Sequence, residues 1–165
     1  MGSTVLHKEA EFRHVYHWMT KKVLTISKKE NLLHAAKKMA RYNVSCLVVE
    51  EYNKPVGIIT ERDYIKKVVV EEKEPHKFLV EEVMTLAVRS LPEDADVISA
   101  FALLKKYHFR RFPVINRKGE LSGILTHGDI LKAMNQIIQH LDWKLVRTKI
   151  AFSEFEKHLK ETDVV

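Results

Sequence analysis

The sequence predicts an α/β (α+β) protein made of two β-α-β-β-α units in tandem. Three observations predict it. Gly57-Ile58-Ile59-Thr60-Glu61-Arg62-Asp63 returns as Gly123-Ile124-Leu125-Thr126-His127-Gly128-Asp129. The glycine, threonine and aspartate keep one spacing: 123 against 57, 126 against 60 and 129 against 63, each 66 residues apart. Met84-Thr85 answers Met19-Thr20, and Val88 answers Val23. Ahead of each motif, apolar runs of strand length alternate with one helical pattern.

The elements follow in order. Residues 1–18 carry Val5, Phe12, Val15 and Tyr16, with Met19 just beyond, and read as an amphipathic helical segment. His14 and His17 lie three apart there. With no third ligand nearby they read as a surface pair, not a metal site. Val23–Ile26 is a first strand. Asn31 to Tyr42 is a helix with Leu32, Ala35, Ala36 and Met39 on one face. Cys46–Val49 is the second strand, Glu51–Lys54 a turn, and Pro55–Ile59 the third strand. Thr60 opens a helix to about Val70. Residues 71–83 connect the halves, ending in a short helical turn at Val80–Met84. In the second half Asp94–Tyr107 is the helix, Phe112–Ile115 and Leu121–Leu125 are strands, and Asn116–Gly119 is the turn. The repeat spacing is 65 up to about residue 43 and 66 from about residue 48. That places the first unit's missing residue just ahead of its second strand. Beyond Asp129 the chain has no Gly or Pro, and Ile130, Met134, Ile137, Leu141, Leu145, Phe152, Phe155 and Leu159 form a helical stripe. A stripe this long needs a cover, from its own domain or from another subunit. The expected division is a helical segment 1–18, units 19–70 and 84–141 joined by 71–83, and a helical extension 142–165.

Composition sets bounds. With 165 residues and 45% apolar content the chain can build a core. A net charge of +6 and a pI near 9.3 favour anionic partners weakly. The single cysteine, Cys46, excludes an intramolecular disulfide and sits in an apolar run. No apolar run reaches the roughly 20 residues of a membrane span, and the N-terminus lacks a signal-peptide apolar region. A cytoplasmic location is expected. There is no phosphate loop, no Cys–His–Asp constellation and no metal-ligand spacing. The sequence therefore predicts no catalytic residue, no metal, no cofactor and no enzyme activity.

Each motif reads as a strand running into a helix start, with Thr60 and Thr126 as N-caps and Asp63 and Asp129 at the third helical position. Free amide N–H groups at such a start favour an anion. A threonine hydroxyl can bond a phosphate oxygen. An aspartate would repel phosphate, so its natural partner is a neutral donor such as a ribose hydroxyl. Thr-x-x-Asp is also close to a capping box, which needs no ligand. Two copies in register favour the site reading.

The two motifs, the repeated Met-Thr pairs and His108-Phe109-Arg110-Arg111-Phe112-Pro113-Val114 resemble a tandem pair of CBS domains, named from cystathionine β-synthase. The resemblance covers about residues 19–138 and is similar to the pair inserted in inosine monophosphate dehydrogenase. It implies pseudo-twofold packing of the two units and two clefts between them that bind adenosine derivatives: AMP, ADP, ATP or a relative such as S-adenosylmethionine. It further implies Asp63 and Asp129 on ribose, Thr60 and Thr126 near phosphates, and Val23 and Val88 lining the adenine slots. Arg110 and Arg111 would face phosphate, with Val44 and Ser45 at the matching place in the first half. The Asp129 cleft is then expected to hold phosphate better. The implied role is a non-catalytic regulatory module, acting as a homodimer. The competing reading is a basic nucleic-acid-binding module using Arg110, Arg111, Lys144, Arg147 and Lys149, or a protein-interaction module without a nucleotide.

Overall fold

The computed structural model describes residues 13–86 and 89–140. The predicted β-α-β-β-α order occurs twice. β1 (Thr25–Ser27), α2 (Leu32–Tyr42), β2 (Cys46–Glu51), β3 (Lys54–Thr60) and α3 (Glu61–Tyr64) form the first copy. β5 (Leu91–Pro92), α4 (Val97–Tyr107), β6 (Arg111–Ile115), β7 (Leu121–Thr126) and α5 (His127–His140) form the second. A short helix, α1 (Val15–Trp18), precedes them, and a two-residue strand, β4 (Thr85–Leu86), lies between. One sheet has the order β1-β2-β3-β4, the other β5-β6-β7. β1 and β2 run parallel, as do β5 and β6, because a helix crosses over between them. Contacts divide the chain into two compact units that cut across the repeat. Among the described residues, one gathers Thr20–Glu93 and Phe112–Ile124; the other gathers 13–19, Asp94–Arg111 and 125–140.

The two long helices of the repeat are built alike. In α2, Leu32, Ala35 and Met39 are buried; in α4, Val97, Ala100 and Leu104 are. These are the i, i+3, i+7 positions of one face. Asn31 caps α2 by accepting from His34 N–H at 2.8 Å, and Asp96 caps α4 by accepting from Ile98 and Ser99 N–H. Helix α4 therefore starts three residues later than expected. Glu93 and Asp94 lie ahead of it, because the capping carboxylate belongs to Asp96. Both helices end on a left-handed residue, Asn43 (φ 50°) and His108 (φ 54°). In the unit that holds the first motif, α2 covers a core of Ile26, Leu47, Val49, Ile59, Val68, Val80 and Val83. In the other, α1 and α4 both contact α5, whose Ile130 and Ala133 are fully buried.

Three further expectations change. The helix after Thr60 is one α-turn that widens into a π-helix over Ile65–Val69, where Val70 N–H bonds Ile65 C=O at 3.0 Å. The β-branched run Val68-Val69-Val70 crowds an α-helical ladder, and a wider turn relieves it. The first strand covers Thr25–Ser27, not Val23–Ile26. The missing residue of the first half is not just ahead of the second strand, where the sequence suggested it. Ile26 pairs with Val49, and Leu91 with Val114, so the spacing is still 65 through the second strand. It becomes 66 only across the hairpin. In the first copy a two-residue turn, Tyr52-Asn53, has both residues at positive φ. In the second a longer turn closes through Asn116, whose side-chain oxygen accepts from Lys118 and Glu120 N–H. The N-terminal segment is described only from Arg13. Val5, Phe12, Val88 and the stripe from Leu141 to Leu159 lie outside the described residues.

Candidate functional site

The repeated Met-Thr pair has a structural purpose. Thr85 pairs with Ile58 in the first motif's strand, and Thr20 pairs with Ile124 in the second's. Each lead-in threonine thus lies beside the motif strand of the other half. The close approach of β4 requires the motif's glycine: a Cβ at Gly57 would lie 2.7 Å from Met84 Sδ and 3.0 Å from Thr85 O.

The first motif forms a complete capping box. Thr60 N–H and the Thr60 hydroxyl both donate to Asp63 Oδ2, at 3.1 and 2.6 Å, and Asp63 N–H donates back to Thr60 Oγ1 at 3.1 Å. Asp63 Oδ1 accepts from the Thr85 hydroxyl at 3.4 Å and lies 3.3 Å from Lys67 Nζ. Lys67 Nζ also donates to Val83 C=O at 2.7 Å. Burial pushes the phenol of the next residue, Tyr64, above its ordinary value. Lys67 was readable in sequence as the i+4 partner of Asp63. Thr85 carried only the repeat as a signal, since its contact spans 22 residues.

The second motif repeats the box. Thr126 N–H and hydroxyl donate to Asp129 Oδ2 at 2.9 and 2.7 Å, and Asp129 N–H donates to Thr126 Oγ1 at 3.3 Å. Here Oδ1 has no partner among the described residues. Ala133 occupies the place of Lys67.

Both helix starts are tied to the loop before the second strand. Glu61 N–H donates to Ser45 C=O and His127 N–H to Arg110 C=O, each at 3.1 Å. This equivalence corrects the alignment of the basic loop. Ser45 matches Arg110, Cys46 matches Arg111, and Val44 matches Phe109. Val44 packs against the core beside α2, and Val23 packs against Val48, Ile58 and Ile124. Arg110 and Arg111 are half-buried and engaged within the protein, not freely solvated. In one compact unit the structure therefore brings together Thr60, Asp63 and the Ser45 carbonyl. In the other it brings together Thr126, Asp129 and the Arg110 backbone.

Comparison with known proteins places these motifs. The CBS domain model matches residues 13–70 and 80–136. An uncharacterized protein of Methanopyrus kandleri is 34% identical over 121 residues, 73% of this chain and 62% of that one. Inosine-5′-monophosphate dehydrogenase of Methanocaldococcus jannaschii is 35% identical over 113 residues, 68% of this chain and 22% of the enzyme. The chain thus spans less than two thirds of either relative. Among solved structures, the CBS domain pair of protein MJ0100, in complex with 5′-methylthioadenosine and S-adenosyl-L-methionine, is 29% identical with a TM-score of 0.65. It covers 74% of this chain and 96% of that one.

Proposed function

The chain belongs to the CBS domain family, and on that premise we propose that it is a non-catalytic regulatory module that binds an adenosine derivative at its Thr-x-x-Asp motifs. The observation that carries the reading is Asp129: a carboxylate at the start of a 14-residue helix, one oxygen held by Thr126 and the other open among the described residues. Such a group suits the hydroxyls of a ribose, while the helix N–H groups and nearby Arg110 suit a phosphate or carboxylate tail. The similarity to a CBS pair that holds two adenosine derivatives supports the same class. Binding would act by differential affinity, favouring one arrangement of the chain and so the surface shown to a regulated partner. A thermal-shift screen with AMP, ADP, ATP, NAD and S-adenosylmethionine tests it. A ligand at a hundred times its Kd should add about 2.7 kcal/mol of stability. No shift with any of the five overturns the reading.

The proposal includes a homodimer in the cytoplasm. Ile65, Val69 and Val70 are 57%, 61% and 71% exposed on the helical stretch after the first motif. Adjacent apolar residues this exposed suit a self-complementary cover. Among the described residues no helix is long and apolar enough to cross a membrane. Sedimentation showing a monomer at micromolar concentration would overturn the dimer.

A further inference from the structure

We infer that Lys67 closes the first motif to ribose and leaves Asp129 as the working acceptor; the inference rests on the adenosine reading above. An ionised carboxylate offers about four lone-pair positions. Around Asp63 both oxygens are engaged: Oδ2 accepts two hydrogen bonds from Thr60, and Oδ1 accepts one from Thr85 and faces the Lys67 ammonium at 3.3 Å. Lys67 is not a loose surface cation. Its ammonium is held between Val83 C=O and Asp63, so the charge stays where a ribose hydroxyl would have to enter. A diol would displace an ammonium ion from the carboxylate and offer only an uncharged donor in return.

The second motif lacks this closure. Ala133, fully buried, replaces Lys67 and has nothing to donate. Gly128 replaces Arg62. A Cβ there would meet only Thr126 Oγ1, at an ordinary 3.6 Å, so packing does not demand the glycine. The second motif thus has no side chain where the first carries Arg62.

Titration calorimetry on the full chain with 5′-methylthioadenosine, and then with AMP, tests the assignment. The wild type should bind one ligand per chain. Asp129→Asn should weaken that site at least tenfold. Lys67→Met should bind two ligands, and Lys67→Met with Asp129→Asn should keep one. Lys67→Gln, which retains a donor for Val83 C=O, guards against loss of structure and should also open the second site. Two sites in the wild type, one site in both Lys67 variants, or a wild-type site that survives Asp129→Asn would overturn the assignment. Absence of binding by wild type and Lys67→Met to both probes would instead overturn the adenosine reading, and this inference with it.

Discussion

Gly57 faces the Met84–Thr85 backbone so closely that a Cβ added to it would lie 2.7 Å from Met84 Sδ and 3.0 Å from the Thr85 carbonyl oxygen. The thioether can move; the carbonyl belongs to a paired strand and cannot move freely. Gly57→Ala should therefore destabilise the fold by about 1–3 kcal/mol, the range for overpacking a tight site. Chemical denaturation measures it. An unchanged midpoint would mean that β4 is not held against β3 in solution.

Asp129→Ala should weaken binding of the adenosine ligand by roughly 1.5–3 kcal/mol, the loss of a charged acceptor. It also removes one half of a capping box, so about 1 kcal/mol of stability should go with it. Calorimetry at matched folded fraction separates the two. Unchanged affinity would leave Asp129 with the capping role alone.

Replacing Arg110 and Arg111 together by Ala should reduce affinity for AMP while leaving adenosine nearly unaffected. The reason is the place of Arg110, whose carbonyl accepts from the first N–H of the second motif's helix. Equal losses for AMP and adenosine would show a structural role, consistent with the half-buried state of both side chains.

Tyr52→Asn should stabilise the protein by about 1 kcal/mol. Tyr52 is 90% exposed and sits at φ 52° beside Asn53 at φ 61°. A left-handed backbone strains a tyrosine and suits an asparagine. Nothing packed is lost, because the ring lies in solvent. A lower thermal midpoint would show that the ring makes contacts in solution that outweigh the strain.

Much of this was local and so was legible in the residues alone. The Thr60–Asp63 and Thr126–Asp129 boxes span three residues, and their chemistry is set by the backbone of a helix start. The buried faces of α2 and α4 follow from the spacing of Leu32, Ala35 and Met39, and of Val97, Ala100 and Leu104. The place of the missing residue was not local. Divergent apolar strands align equally well with the gap before or after them. Only the pairing of Ile26 with Val49, and of Leu91 with Val114, puts it in the hairpin.

By itself the sequence determined the tandem repeat, its two capped motifs and the family they resemble, because those depend on short-range periodicity and helix-end chemistry. Tertiary structure decided that the two motifs differ. Lys67 is one helical turn from Asp63 in any helix, but it becomes a closure only because the chain returns to set Val83 C=O and Thr85 against it. A carboxylate oxygen is engaged by whatever donors and cations the fold brings within reach, and no local pattern in the first motif encodes residues 83 to 85.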